Sequence, residues 1–250
     1  MSTRQTILIT GASSGLGAGM AREFAARGRD LALVARRTER LDALRAELTA
    51  RHPGIRVVTR ALDVNDPDEV FRVFRECDDE LGGLDRVIAN AGLGKGQPLG
   101  TGYFRANSQT AQTNFLGTLA QTEAARELFR PRDRGHLVLI SSMSAVRGMP
   151  RNATTYAASK AAVATLGEGA RADLLGTGIS VSTILPGYIR SEINEKVKKV
   201  PFIVDTETGC RALAKAIERE PAKASVPAWP WVPLGVAMKY LPLPIVAKMS

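Results

Sequence analysis

Six short apolar runs, each rich in β-branched residues, alternate along the chain with stretches that carry helical periodicity. The runs lie at residues 6–10, 31–35, 55–59, 85–90, 136–141 and 179–185. Because they are apolar almost without interruption, we expect them to be buried on both faces, as the strands of a parallel sheet are. The pattern up to about residue 190 therefore predicts a doubly wound α/β fold with right-handed crossovers.

The stretches between the runs carry signals for the start and the end of helices. Thr38 is a candidate N-cap for the helix after the second run. Asp66, Pro67 and Glu69 have the residue types of the N-cap, N1 and N3 positions of a helix that continues to about residue 81. The pair Gly82-Gly83 is expected to end that helix.

Two later segments depart from this alternation. Residues 188–205 mix charged and apolar positions irregularly, which fits a substrate lid and fits a solvated surface loop equally well. Residues 226–250 form an apolar tail with both tryptophans and five prolines, too interrupted to span a bilayer. The tail could cover a pocket, pack in an oligomer interface or lie on a membrane surface, and the first two are favoured. Since no repeat or linker divides the chain, residues 1–250 are predicted to form one domain.

The composition narrows the classes of function. The net charge of +9 predicts an attraction for anionic ligands, but the arginines are spread along the chain and form no nucleic-acid-binding signature. The two cysteines, Cys77 and Cys210, lie far apart and suggest neither a disulfide framework nor a metal site. The N-terminus has no secretion signal, so a cytoplasmic protein is expected.

A glycine-rich segment, T-G-A-S-S-G-L-G, follows the first apolar run directly and places glycines at Gly11, Gly15 and Gly17. Glycines between a strand and a helix allow a tight turn and bring backbone N–H groups close to a pyrophosphate. The second run ends in Arg36 and Arg37, where an NAD-binding unit would carry an acidic residue. Guanidinium groups bind a 2′-phosphate, so NADP(H) is predicted in preference to NAD(H).

Five motifs in register resemble the short-chain dehydrogenase/reductase family over residues 6 to about 190. They are T-G-A-S-S-G-L-G at 10–17, N-A-G at 90–92, I-S-S at 140–142, Y-A-A-S-K at 156–160 and P-G at 186–187. The resemblance implies a Rossmann-type sheet of seven strands, a nicotinamide cofactor, and interconversion of a carbonyl and an alcohol by hydride transfer. It also implies a homotetramer or homodimer.

The resemblance assigns roles to particular residues. Tyr156 would be the acid/base, Lys160 would hold the nicotinamide ribose and lower the pKa of the tyrosine, Ser142 would bind the substrate oxygen, and Asn114 would help hold a water relay. The chemistry agrees, because a phenol with a pKa of about 10 needs a neighbouring cation to work as a base near neutral pH. Motifs and resemblance together predict that the cofactor is bound by Gly11, Ser13, Ser14, Gly15, Leu16, Gly17, Arg36, Arg37, Asp63, Val64, Asn90, Ala91, Gly92, Tyr156, Lys160, Pro186, Gly187, Ile189 and Ser191. Among these, Asp63 would contact the adenine and Asn90 would lie beside the adenosine ribose.

Three positions depart from the family pattern. Thirteen residues separate Ser142 from Tyr156, one more than expected, so that either Ser142 or Ser144 could bind the substrate oxygen, and Ser142 is preferred. Ser191 stands where the family often has threonine. Ser14 stands at a position that is basic in many NADP-dependent members, so the cofactor preference depends on the two arginines at the end of the second strand.

The sequence leaves two functions open. One is an NADP(H)-dependent oxidoreductase acting on a small, apolar carbonyl or alcohol, with a pocket formed by residues 94–98, 143–151, the 188–205 segment and the tail. The other is a nucleotide-binding sensor or scaffold without catalysis, possible at a membrane surface, since a fold does not dictate a function.

Overall fold

A computed structural model describes residues 4–192 and 202–248, and its centre is one parallel sheet of seven strands in the order β3-β2-β1-β4-β5-β6-β7. The strands are β1 Thr6–Thr10, β2 Asp30–Ala35, β3 Val57–Ala61, β4 Arg86–Ala89, β5 Gly135–Ile140, β6 Ile179–Pro186 and β7 Lys223–Val226. The strand order reverses between β1 and β4, and in such sheets ligands bind outside the carboxyl ends of the strands at that point. The predicted doubly wound sheet and its seven strands are confirmed.

Helices cover both faces of the sheet. They are α1 Gly15–Ala25, α2 Thr38–Arg51, α3 Pro67–Leu81, α4 Phe104–Ala111, α5 Gly117–Phe129, α6 Thr154–Asp173, α7 Thr206–Glu218, α8 Ala228–Tyr240 and α9 Leu243–Ala247. Side chains alternate across the strands, so Ile7 and Ile9 of β1 pack with α1, α2 and α7, whereas Leu8 between them packs with α3, α5 and α6. Burial on both faces explains why the strands read as nearly continuous apolar runs.

The local signals for helix ends were confirmed in one case and misplaced in another. Asp66 caps α3 by accepting a 3.2 Å hydrogen bond from the backbone N–H of Glu69, Pro67 is the first helical residue, and Gly82 ends the helix with a φ of 75°. Thr38, in contrast, is already helical, and Arg37 stands at the N-cap position without capping the helix. The turn from β2 into α2 is therefore one residue shorter than the capping signal indicated, and β3 begins two residues later than its apolar run.

The C-terminal segments complete the edge of the sheet. Strand β7 pairs with the end of β6, and the tail continues as α8 and α9. Within the described ranges, no helix is both long enough and apolar enough to cross a membrane. The predicted 188–205 lid is described only in part, because residues 193–201 lie outside the described residues; of the remainder, Ile189 forms a bridge with Val204.

Candidate active site

The glycine loop joins β1 to α1 at the carboxyl edge of the sheet. Gly11 and Gly15 have φ values of 65° and 53°, which glycine adopts without strain. Gly17 lies so close to the start of the loop that an added Cβ would come within 2.3 Å of the Gly11 carbonyl oxygen. Glycine at these positions lets α1 begin directly behind the strand, with the N–H groups of its first turn directed toward the loop.

A buried threonine ties the loop to the neighbouring strand β4. The Thr10 hydroxyl accepts hydrogen bonds from the backbone N–H groups of Asn90 (2.9 Å) and Ala91 (3.0 Å) and donates to Gln121 Oε1 (2.8 Å). The Asn90 amide in turn donates to the Thr10 carbonyl at 2.9 Å. These bonds hold the N-A-G motif beside the glycine loop at the point where the strand order reverses. No sequence signal pointed to Gln121, which is 111 residues from Thr10.

Two serines of the loop and an arginine after β2 form a polar cluster. Arg37 donates from Nε to Ser13 Oγ (3.1 Å) and from its terminal nitrogen to Ser14 Oγ (2.6 Å). The same guanidinium pairs with Glu192 at 3.1 Å, and Arg40 pairs with the other carboxylate oxygen at 2.7 Å. Sequence reasoning missed both Arg40 and Glu192. Arg40 follows Arg37 by three residues, one helical turn, and that spacing could have identified it.

Arg36 and the predicted adenine-binding residues lie beside this cluster. Arg36 is 63% exposed and approaches Asp63 at 3.8 Å. Asp63 accepts hydrogen bonds from both the backbone and the side chain of Asn65, which orient its carboxylate at the end of β3. Val64 is buried and packs against Gly117 of α5. Of the two arginines after β2, Arg37 is the one that reaches the glycine loop.

Tyr156 and Ser142 meet at the carboxyl end of β5. Tyr156 lies in the first turn of α6, and its phenol interacts with the Ser142 hydroxyl. Burial raises the pKa of Tyr156, and the interaction with Ser142 opposes that rise. Ser142 also accepts hydrogen bonds from the backbone N–H (3.2 Å) and hydroxyl (2.9 Å) of Ser144. Ser144 thus hydrogen-bonds Ser142, and two short 3-10 turns, Met143–Val146 and Arg151–Ala153, form part of the thirteen-residue connection to Tyr156.

Lys160 lies one turn after Tyr156 on α6 and is buried. Its ammonium donates to the Ile140 carbonyl at 2.8 Å and is 6.0 Å from the centroid of the Tyr156 ring. Burial lowers the pKa of Lys160 to about 8, because the charged form loses hydration. The pKa of Tyr156 is nevertheless raised, because burial of the phenol has a larger effect than the interaction with Ser142. This is opposite to the lowering that the family resemblance implies.

Asn114 is turned into the site by a π-helical segment, Gln112–Leu116. Its Oδ1 accepts from the Leu93 backbone N–H at 2.7 Å, and its Nδ2 donates to the Leu93 carbonyl at 2.9 Å and to Ser159 Oγ at 3.1 Å. A side chain at Gly92 would come within 3.2 Å of Asn114 and 3.4 Å of the Lys160 ammonium. Asn114 therefore joins the N-A-G loop to α6, and Ser159 is a further positioning residue inside the Y-A-A-S-K motif.

The segment after β6 lies across the site. Pro186 ends the strand, the Gly187 N–H donates to the Val226 carbonyl at 2.9 Å, and Ile189 is buried. A methyl group at Gly15 would lie 3.4 Å from Cβ of Ser191, so this segment returns to the glycine loop. Leu16 of that loop packs against the core on the α1 face.

The tail and two loops form an apolar wall beside Ser142 and Tyr156. Trp231 of α8 is only 5% exposed, packs with Met143 and Leu185, and meets the Tyr188 ring edge-to-face at a centroid distance of 5.5 Å. Arg147 donates to backbone carbonyls at the end of α8, including that of Met238 at 3.1 Å. The tail thus packs on the loop that follows Ser142. Residues 94–98 also reach this region, because Gly96 lies against the Asn152 carbonyl.

Comparison with known proteins agrees with this geometry. Residues 5–201 match the short chain dehydrogenase family. An uncharacterized oxidoreductase of Mycobacterium tuberculosis is 55% identical over 240 residues, which are 96% of this chain and 95% of that protein. The 11-beta-hydroxysteroid dehydrogenase 1A of Arabidopsis thaliana is 32% identical over 244 residues, and the aligned region is 90% of this chain and 69% of that protein. The structure of a short-chain dehydrogenase from Sphingobium yanoikuyae in complex with NADPH superimposes with a TM-score of 0.82 at 28% identity, over 94% of this chain and 93% of that one. The chain belongs to the short-chain dehydrogenase family of oxidoreductases.

Proposed function

We propose that the protein is an NADP(H)-dependent oxidoreductase that interconverts a carbonyl and an alcohol, with Tyr156 as the acid/base. The observation that carries the proposal is the grouping of three side chains: the phenol of Tyr156 interacts with the Ser142 hydroxyl, and the Lys160 ammonium lies 6.0 Å from the centroid of the tyrosine ring. When bound, the nicotinamide cofactor supplies or accepts the hydride. The side chains of this protein donate or accept the proton and stabilise the negative charge that develops on the substrate oxygen.

The residues present fit a cofactor with a 2′-phosphate. Ser14, Arg37 and Arg40 surround an anion in the structure, the carboxylate of Glu192. Paired guanidinium and hydroxyl donors of this kind suit a phosphate monoester, whereas an NAD-specific site places a carboxylate on the 2′-hydroxyl. The NADPH complex of the Sphingobium yanoikuyae relative supports the same preference.

Each catalytic side chain has a definite task in reduction. A buried tyrosine with a raised pKa keeps its proton at neutral pH, so Tyr156 can donate it to the carbonyl oxygen as negative charge develops there. Ser142 supplies a second hydrogen bond to the same oxygen. Lys160 holds a positive charge near the phenol, and Asn114 fixes the N-A-G loop against α6. Oxidation of an alcohol uses the same groups in reverse, with Tyr156 accepting the proton.

The substrate class is proposed from the wall beside the catalytic residues. Met143 and Trp231 are buried, and the more exposed Tyr188, Val146 and Leu234 pack around them next to the loop that follows Ser142. Apolar pockets of this kind bind apolar ligands and use a few polar groups for orientation. We therefore expect an apolar ketone or secondary alcohol, a class consistent with the name of the Arabidopsis relative.

The proposal is tested with Tyr156→Phe and a panel of apolar carbonyls. NADPH binding, followed by fluorescence titration, should be unchanged, because the glycine loop and Arg37 are intact. Consumption of NADPH at 340 nm with the panel should fall by a factor of about 10² to 10⁴, the usual contribution of a general acid. Tyr103→Phe, an exposed tyrosine outside the site, is the matched control and should keep full activity. Equal turnover by Tyr156→Phe would refute the assignment, and equal affinity for NADPH and NADH would refute the cofactor preference.

A further inference from the structure

The carboxylate of Glu192 is held in a complete anion site. Ser14 Oγ donates to its Oε2 at 2.9 Å, Arg37 pairs with the same oxygen at 3.1 Å, and Arg40 pairs with Oε1 at 2.7 Å. These bonds lower the pKa of Glu192 to about 2, with those from Arg40 and Ser14 the strongest, although the side chain is 50% exposed. Glu192 is therefore ionised throughout the neutral range.

The position of this anion site matches the place of a 2′-phosphate. Ser14 is the N-cap residue of α1 in the glycine loop, and Arg37 immediately precedes α2, at the carboxyl end of β2. In a dinucleotide-binding unit, the group that recognises the 2′ position of the adenosine ribose stands at this strand end. Arg37 is oriented by further bonds to Ser13 Oγ (3.1 Å) and Ser14 Oγ (2.6 Å), so the donors are already arranged around the anion.

Glu192 and a phosphate cannot use these donors together. A phosphate monoester carries a charge of about −1.5 to −2 at neutral pH, and a carboxylate on the same two guanidinium groups would repel it. Arg37 and Arg40 carry two positive charges, and the carboxylate of Glu192 neutralises only one of them. A phosphate dianion would neutralise both. The phosphate is thus the better partner, but Glu192 occupies its place.

We propose that Glu192 is a built-in competitor for the 2′-phosphate of NADPH, held by Ser14, Arg37 and Arg40 and displaced when the cofactor binds. The inference rests on the proposed NADP(H) preference and adds Arg40 as a third residue that determines it. Each NADPH molecule that binds must first release Glu192, which lowers the apparent affinity for the phosphorylated cofactor. NADH has no 2′-phosphate and therefore need not compete for these donors.

The test compares Kd values for NADPH and NADH in the full-length protein and in Glu192→Gln. The amide removes the charge at nearly constant shape, so NADPH should bind about fivefold more tightly, equivalent to about 1 kcal/mol. The Kd for NADH should change by less than about twofold. Glu123→Gln, which removes one exposed carboxylate on α5, is the matched control and should alter neither Kd. Unchanged or weaker binding of NADPH by Glu192→Gln would overturn the proposal, as would equal tightening of both cofactors.

A double-mutant cycle tests the role of Arg40. In the wild-type protein Arg40→Ala removes a contact to the phosphate, which weakens NADPH binding. It also removes an ion pair that holds Glu192 in place, which favours NADPH binding, so the two effects on the affinity partly cancel. In the Glu192→Gln background only the phosphate contact is lost, and the fold-loss in NADPH affinity should be larger than in the wild type. Equal fold-losses in both backgrounds would show that Glu192 and the 2′-phosphate do not compete for Arg40.

The measurements separate this inference from the proposed function. Binding of 2′,5′-ADP and of 5′-AMP isolates the phosphate site without hydride chemistry. If neither the wild type nor Glu192→Gln prefers 2′,5′-ADP, the NADP(H) preference itself is wrong. If the wild type prefers 2′,5′-ADP and Glu192→Gln binds it no more tightly, the preference stands and only the competition by Glu192 is wrong.

Discussion

Acidification from pH 7 to pH 5 is expected to weaken the fold by about 2 kcal/mol through one side chain, His136. His136 lies in β5 and is 0% exposed. Its Nδ1 accepts a 2.8 Å hydrogen bond from Arg86 Nε, and its Nε2 is 2.8 Å from Ser182 Oγ. Glu220 is 3.7 Å from Nδ1, but that nitrogen already uses its lone pair toward Arg86, so the imidazole is neutral and makes no ion pair.

The magnitude follows from the two pKa values of the imidazole. Burial, reinforced by the charge of Arg86, lowers the pKa of His136 from 6.5 to about 3 in the folded protein. The unfolded chain therefore binds one more proton than the folded chain between these values, and stability present above pH 6.5 is lost as the pH falls toward 3. Linkage gives a loss of about 2 kcal/mol between pH 7 and pH 5, a window in which the folded imidazole stays neutral.

The assay is urea unfolding followed by far-UV circular dichroism at pH 7, 6 and 5. His136→Asn keeps an acceptor for Arg86 but does not titrate, so its free energy of unfolding should change by about 2 kcal/mol less than that of the wild type over this range. His52→Asn, at the other histidine of the chain, is the matched control and should behave as the wild type. The imidazole resonances of His136 should also stay constant from pH 7 to pH 5 by NMR. An equal loss of stability in His136→Asn and wild type would refute the reasoning.

Three further predictions concern the site. Gly17→Ala should abolish NADPH binding and lower the free energy of unfolding by about 1–3 kcal/mol, because the added Cβ would lie 2.3 Å from the Gly11 carbonyl oxygen. Fluorescence titration with NADPH measures the binding and urea unfolding measures the stability. Normal NADPH binding would contradict the prediction. Alcohol oxidation by NADP⁺ should accelerate as the pH rises above 7, since Tyr156 must first lose a proton that its raised pKa retains; a flat pH–rate profile would contradict this. Trp231→Ala should destabilise by about 3–5 kcal/mol, whereas Trp229→Ala, at a position 79% exposed, should change stability by less than about 0.5 kcal/mol in the same urea assay.

The sequence predicted those features that depend on neighbouring residues. Continuous apolar runs identify strands buried on both faces, and Asp66 with Pro67 identifies the start of α3, because both signals are local. Strand β7, Lys223–Val226, had no such signal, since only Val226 of its four residues is buried. A seventh strand was predicted only because the resembled family has seven strands.

Contacts between distant residues explain most of what sequence reasoning missed. Glu192 accepts a hydrogen bond from Arg40, which is 152 positions away in the sequence, and Gln121 accepts one from Thr10, which is 111 positions away. No periodicity links such pairs, because the fold brings them together only after the sheet has formed. The arginine pair after β2 shows the same limit, since the sequence could not tell that Arg37 reaches the glycine loop while Arg36 approaches Asp63.

The π-helical turn at Gln112–Leu116 makes the number of residues in this part of the chain a structural requirement. Each residue of an α-helix advances the side-chain direction by about 100°, so one residue accommodated in a wider turn shifts α5 by that angle relative to α4. Removal of a single residue here would allow one uninterrupted α-helix. Ala120 and Ala124 could then keep their place in the core only if Asn114 rotated away from Leu93 and Ser159. A deletion in this turn should therefore damage the site even when every residue named in it is retained.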